Sequence, residues 1–296
     1  MTLTAGRPAI PSADLSIVIP CFNEEETIGE VLDQLARRFP EAELLVVDDG
    51  SSDGTAGRAG GCRGVRLLRH PQNRGYGAAI RTACQAASRP YVVWFDADGQ
   101  HGADMVAALL TRLPDVDCVI GARTGKSPAP WFRRCGVAAI CWLARLLTQR
   151  HIPDLNCGLR VFRLDLLRHY LHLLPKGFSA SATTTIVMLE CGHRVAWTPI
   201  PALARSGSSR LRLLRDGVGT LLLVLRLVLR LSPWKIFLPL AVGLSLLGLL
   251  AGSGRWLLGG GSLFPAAMLL LCGGLALLSG IVAQGCSRQW RQRMDL

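Results

Sequence analysis

Tyr91-Val92-Val93-Trp94-Phe95-Asp96-Ala97-Asp98-Gly99-Gln100 decides the fold class. Its apolar residues run straight into a polar turn, the pattern of a strand buried on both faces, which belongs to a parallel sheet covered by helices. Similar runs lie around it: Leu15 to Ile19, Leu44 to Val47, Val65 to Leu68 and Cys118 to Ile120. Between the first two, Ile28, Val31, Leu32 and Leu35 recur at helical spacing and give one apolar face. The chain up to about Pro201 therefore reads as an α/β domain with a largely parallel sheet. In such sheets ligands bind at the carboxyl ends of the strands. Asn23-Glu24-Glu25, Asp48-Asp49-Gly50 and Asp96-Ala97-Asp98 all fall there. Side chains alternate along a strand, so Asp96 and Asp98 are expected to project to one side and share a hard cation, Mg2+ or Mn2+. Gln100 offers that cation another oxygen, and His101 reads either as a ligand or as an exposed loop residue.

Composition narrows the partners. The 296 residues carry a formal charge of +12, almost wholly from arginine, since Lys126, Lys176 and Lys235 are the only lysines. A basic balance suits nucleic acid, anionic lipid or phosphorylated ligands. Here the basic residues cluster near a hydrophobic tail, which favours lipid and phosphate over nucleic acid. The 10 cysteines form no C-x-x-C pair and have no ligand-like histidine spacing, so reduced thiols in a cytosol are expected. Met1 to Asp14 reads as a polar lead without a signal peptide, which keeps the catalytic part in the cytoplasm.

The tail is a separate regime. Ile236 to Gly254 and Trp256 to Ser287 are uncharged, and two membrane-spanning helices of roughly 20 residues fit there, with Arg255 and Gly259-Gly260-Gly261 as the expected turn. Arg226, Arg230 and Lys235 precede the first span, while Arg288, Arg291 and Arg293 follow the second. This bias places both ends of the hairpin, and both termini, in the cytoplasm. Leu211 to Leu231 is leucine-rich but charged. Its Leu and Val residues favour insertion by about 5 kcal/mol and its charges oppose it by about 12 kcal/mol, so it is expected to form one or two helices lying in the interface. The expected organisation is a lead over 1–14, a catalytic domain over 15–210, interfacial helices over 211–233, a transmembrane hairpin over 234–287 and a basic tail over 288–296. Gly243, Gly248, Gly252, Gly273, Gly274 and Gly280 leave room for close helix contact, including self-association.

Several motifs occur in a fixed order: Ile19-Pro20-Cys21-Phe22-Asn23-Glu24-Glu25, Val47-Asp48-Asp49-Gly50-Ser51, Asn73-Arg74-Gly75-Tyr76-Gly77, Asp96-Ala97-Asp98-Gly99-Gln100 and Asp154-Leu155-Asn156-Cys157-Gly158-Leu159-Arg160. Asn73 to Ala79 is partly like a dinucleotide fingerprint, but Ile80 stands where its third glycine belongs. Taken together, the motifs from Ser16 to about Leu211 resemble the inverting glycosyltransferases of GT-A fold, in the branch of dolichol-phosphate mannose synthase and the bacterial polyprenyl-phosphate glycosyltransferases. The resemblance implies that Pro20, Glu24 and Asp49 line the nucleotide pocket and that Asp96, Asp98 and Gln100 bind the metal. It also implies that Arg123 and Arg134, with Arg133 as the competing choice, hold the acceptor phosphate, and that Arg205 lies near the donor diphosphate. Arg210 replaces the usual lysine of that last motif, and Cys157 stands where serine is common.

The implied partners are a GDP- or UDP-sugar, a polyprenyl phosphate and the membrane. A polyprenyl phosphate is already anionic at neutral pH, so its oxygen needs placement more than deprotonation, and arginine forks suit that task. The expected reaction is a single displacement with inversion at the anomeric carbon, in which Asp98, Arg123 and Arg134 carry the catalytic load. Rival readings are a processive polysaccharide synthase, glycosylation of a lipid without phosphate, and a non-catalytic sugar-nucleotide-binding scaffold. Gln289-Trp290-Arg291 does not match the Q-x-x-R-W signature of the first.

Overall fold

The computed structural model describes residues 10–124, 138, 140–142, 144–146, 148–177, 179–202, 213–257 and 262–292. Seven strands form one sheet: β1 (Leu15–Cys21), β2 (Glu43–Asp48), β3 (Val65–Arg69), β4 (Tyr91–Trp94), β5 (Cys118–Thr124), β6 (Arg160–Arg163) and β7 (Val195–Pro201), in the order β3-β2-β1-β4-β6-β5-β7. β1 pairs in parallel with β2 and β4, and β2 with β3, as the continuous apolar runs dictate. β6 is antiparallel to both β4 and β5, and β5 is parallel to β7. Every residue of β1 is buried, so helices must cover both of its faces.

One cover is α1 (Glu25–Arg38), which buries Ile28, Val31, Leu32 and Leu35, the stripe read from the sequence. Glu25 and Glu26 in its first turn and Arg37 and Arg38 in its last complement the helix dipole. α2 (Thr55–Gly61), α3 (Tyr76–Ala86) and α4 (Ala103–Leu110) follow β2, β3 and β4. α5 (Leu164–Tyr170) follows β6, and α6 (Ala180–Glu190), buried nearly all round, precedes β7. Trp94 and Phe162 pack across β4 and β6 with ring centroids 5.1 Å apart.

Three helices complete the described chain: α7 (Leu213–Leu231), α8 (Trp234–Leu257) and α9 (Phe264–Gln292). The segment expected as one or two helices is one in its described part, and Val224, Leu227, Val228 and Leu231 bury one face against the rest of the protein. Arg226 and Arg230 lie on exposed positions. Trp234–Gly254 and Phe264–Gln289 are long and apolar enough to cross a membrane, with mean hydropathies of 2.1 and 2.3. Arg255 belongs to α8 rather than to the connecting turn, because the helix runs on to Leu257. Gly248 sits against Leu270 and the Ala266 carbonyl, Gly273 against Ser245 and Gly280 against Phe237, so these glycines serve close packing inside the hairpin. Gly243 and Gly274 have open space where a side chain would stand.

Candidate active site

Strand direction gathers the motifs on one edge. β1, β2, β3, β4 and β5 run the same way, so the loops after Cys21, Asp48, Arg69 and Trp94 and the end of β5 at Arg123 share that edge. β6 is reversed, so the loop that enters it, Asp154 to Leu159, arrives there too.

The paired carboxylates do not sit on the strand. β4 ends at Trp94, Phe95 makes one more bond to the Val18 carbonyl, and Ala97 and Asp98 form a turn. Strand alternation therefore does not aim Asp96 and Asp98; local contacts do. Tyr76 donates to Asp96 Oδ1 at 2.9 Å, and the Gln100 amide donates to Asp98 Oδ1 at 3.1 Å. The Ala97 carbonyl accepts from the Thr27 hydroxyl at 2.6 Å, which ties the turn to the start of α1 beside Glu24. Burial and then Asp96 raise the Tyr76 pKa, so its phenol stays protonated and donating. The other Asp96 oxygen lies where a β-carbon on Gly158 would stand, so only glycine admits the carboxylate. Asp96, Asp98 and Gln100 are all half-buried.

Oxygen donors of this kind suit a hard divalent cation. Among the described residues no cluster of three or more His, Cys, Asp and Glu side chains forms a closed metal cage. Mg2+ is commonly held by one or two carboxylates together with substrate phosphates, so an open pair fits such an ion. His101 is buried rather than exposed, edge-on to Phe95 at 6.2 Å, and its Nδ1 has no partner among the described residues. Burial, opposed by Asp96, lowers its pKa and keeps the ring neutral at pH 7.

At the end of β5, Arg123 donates from Nε and Nη2 to the two oxygens of Asp154, at 2.7 and 3.0 Å. Burial works against both charges, but the shared hydrogen bonds prevail: Asp154 is held below the ordinary carboxylate range and Arg123 above the ordinary guanidinium range. The pair stays ionised, and with its side chain 40% exposed Arg123 still has N–H groups not spent on Asp154. Behind this loop Arg160 is fully buried and donates to the Cys157 and Leu155 carbonyls and to Thr184 and Thr185 of α6. Cys157 is buried too, which pushes its thiol up to about 12 and leaves it no nucleophilic role at neutral pH.

The remaining sequence-derived positions divide. Pro20 is buried in β1 opposite Val47, and Glu24 is half-buried at the start of α1. Asp49 is nearly buried, and its carboxylate accepts from the Arg74 and Gly75 amides and pairs with His70 Nδ1 at 2.6 Å. It ties the β2 and β3 loops together. Beside it a cavity of about 400 Å³ is lined by Gly50, Ser51, Arg69, His70 and Pro71. Gly75 and Gly77 bring α3 against the backbone of Pro175 to Gly177, a packing role rather than a phosphate cradle. Arg133, Arg134 and Arg205 lie outside the described residues. Sequence reading missed the Tyr76 phenol, the Thr27 hydroxyl and Arg160; Tyr76 and Arg160 stood inside quoted motifs without a role.

Residues 16–171 match the model of glycosyl transferase family 2. The chain belongs to that family. Its relatives include the dolichyl-phosphate hexose transferase of Haloferax volcanii, 32% identical over 67% of this chain and 86% of that one. The undecaprenyl-phosphate mannosyltransferase of Micrococcus luteus is 30% identical over 66% of this chain and 86% of its own. Among solved structures, glucosyl-3-phosphoglycerate synthase from Mycobacterium tuberculosis, in complex with Mn2+, UDP-glucose and phosphoglyceric acid, has a TM-score of 0.61 at 21% identity, covering 76% of this chain and 86% of that one. The family 2 domain is thus a GT-A-like α/β unit with a mostly parallel sheet, followed by two apolar helices that could span a membrane.

Proposed function

We propose that this family 2 glycosyltransferase moves a sugar from a nucleotide-sugar donor, GDP- or UDP-linked, to a polyprenyl phosphate, with inversion, at the inner face of the cytoplasmic membrane. The observation that carries the reading is the meeting, on one sheet edge, of the Asp96-Ala97-Asp98 turn and the Arg123–Asp154 fork. Relatives that act on dolichyl or undecaprenyl phosphate support the acceptor, and the two apolar helices support a hairpin with both termini cytoplasmic.

In this reading the nucleoside enters the cavity beside Gly50, Ser51 and Arg69, and Asp49 acts by holding the loops that shape it. Asp96, Asp98 and Gln100 hold a divalent cation, Mg2+ or Mn2+, which when bound neutralises the diphosphate and the charge on the departing nucleotide. Tyr76 and Gly158 fix Asp96, and Thr27 fixes the turn. Asp154 orients Arg123 so that its remaining N–H groups grip the acceptor phosphate, with Arg134 as a second grip and Arg205 on the donor side. The acceptor oxygen is anionic at neutral pH, so placement replaces a general base.

Detergent-solubilised full chain, undecaprenyl phosphate and Mg2+ are incubated with a panel of nucleotide sugars, and the lipid fraction is analysed by mass. One donor is expected to add a single sugar to the lipid phosphate. Sugar appearing only on lipids that lack a terminal phosphate would replace this reading with direct lipid glycosylation.

A further inference from the structure

A second cavity, of about 420 Å³, opens where the catalytic domain meets the hairpin. None of the active-site residues lines it. Arg150 and Gly192 come from the catalytic domain, Lys235 from the first turn of α8, and Gln284 and Arg288 from the last turns of α9. Gly192 precedes the amino end of β7, whereas the active-site edge lies at the carboxyl end of that seven-residue strand, roughly 20 Å away.

The charges of this cavity do not cancel. Its carboxylate, Glu190, is 2% exposed and fully engaged: Lys235 Nζ pairs with Oε1 at 2.7 Å, and the Ser232 hydroxyl donates to Oε2. Lys235 also donates to the Thr148 carbonyl at 3.1 Å. Arg150 and Arg288 are exposed and form no ion pair among the described residues. Gln284 Oε1 is buried and has no partner among the described residues, and the side-chain amide can turn to present its N–H groups instead. Around a pocket of this size, two guanidinium groups unpaired among the described residues call for a small anion with several acceptor oxygens, to which the turned Gln284 amide can donate.

We propose that this cavity binds the phosphate of an anionic glycerophospholipid head group. The inference rests on the membrane placement of α8 and α9 stated above. Lys235 opens the first apolar helix and Gln284 and Arg288 close the second, so the cavity stands at the level where lipid head groups sit. Anionic lipid attracts basic residues at that level, and the free volume accepts a glycerol phosphate while the acyl chains remain in the bilayer.

The test uses delipidated full chain in detergent. Dioleoylphosphatidylglycerol, dioleoylphosphatidylcholine or inorganic phosphate is added, and adducts are counted by native mass spectrometry. Phosphatidylglycerol adducts are expected to exceed phosphatidylcholine adducts about fivefold, to fall to the phosphatidylcholine level in Arg150→Gln/Arg288→Gln, and to persist in Arg288→Lys. Equal phosphatidylglycerol adducts in the parent and the double variant would overturn the proposal. So would inorganic phosphate that fills the site and is not displaced by phosphatidylglycerol, since the ligand would then be the free ion. Sugar transfer at saturating undecaprenyl phosphate, measured on the same samples, is expected to stay within about twofold in the double variant. A loss of transfer together with the adducts would assign the cavity to the acceptor and overturn the proposal. If the parent transfers no sugar but the adducts behave as expected, the proposed function fails and the lipid site stands.

Discussion

Asp98 has its carboxylate beside a turn that is fastened at both ends, by Thr27 to the Ala97 carbonyl and by the Gln100 amide to Asp98 itself. Asp98→Asn keeps shape and volume but removes the charge a divalent cation needs. It is expected to lower turnover about 10²- to 10³-fold, the scale of losing one strong electrostatic contact to the transition state. The melting temperature should stay within about 2 °C because no core contact changes. Transfer at the parent rate by purified Asp98→Asn would remove the metal assignment. Gly158→Ala tests the neighbouring carboxylate from the other side. Its added methyl would occupy the place of the Asp96 oxygen, so Asp96 must leave Tyr76 or the Asp154 to Leu159 loop must shift. Activity is expected to fall at least about tenfold, and Tyr76→Phe, which removes only the tether, to fall less. Equal activity of Gly158→Ala and the parent would show that Asp96 has another productive position.

At the scale of elements, α6 is the rear support of the site. Arg160 of β6 reaches Thr184 and Thr185 of α6 and the carbonyls of the loop that presents Asp154 and Gly158, all neutral acceptors. Burial lowers its pKa from the guanidinium value, and its hydrogen bonds stand in for the water it has lost. Arg160→Met orphans these acceptors and is expected to cost about 3 kcal/mol, a drop of roughly 6 to 12 °C in melting temperature. At the carboxyl side of α6, His193 Nε2 pairs with the Tyr170 hydroxyl at 2.7 Å. Burial, against a small pull from Asp117, lowers the His193 pKa below its ordinary 6.5. The unfolded chain therefore takes up a proton before the folded one does, and stability declines as pH falls below about 6.5. His193→Gln, which keeps an acceptor and cannot titrate, should flatten that decline in melting curves taken from about pH 7.5 to 5.5. These elements also show what the sequence made legible. β1, β2, β4, β5 and α1 announce themselves because their apolar runs and stripe have no competing signal; β3 forms where Val65 to Leu68 predicts a strand, but none of its residues is buried as expected, because it stands at the sheet edge and carries Arg66. β6 hides because Arg160 breaks its apolar pattern while being buried, and β7 hides behind Pro199 and Pro201, which read as loop although they are tolerated at a sheet edge. Asp96 and Asp98 could be picked out, but not how they are aimed, since Tyr76, Thr27 and Gly158 reach them from segments remote in the sequence.

For the whole molecule, the question is how the α/β unit stays registered on a hairpin whose outer faces are apolar, with Leu250 and Val282 more than half exposed. Buried side chains of α7 supply a dry contact through Val224, Leu227, Val228 and Leu231. Ser287 of α9 donates to the Leu231 carbonyl at 3.0 Å. The Glu190–Lys235 pair is a charged fastening between the two parts, with Glu190 at the end of α6 and Lys235 at the start of α8. A buried pair of this kind adds little net stability but is costly to break on one side, because the remaining charge stays in a poor environment. Lys235→Met is therefore expected to destabilise the full chain by about 3 kcal/mol, and Glu190→Gln/Lys235→Met to recover at least half of that loss. Thermal unfolding in detergent gives the four values of the cycle, and limited proteolysis reports whether the domain has come loose from the hairpin. If the double variant loses as much stability as the two single variants summed, the two charges are not coupled, and the domain is registered by its other contacts.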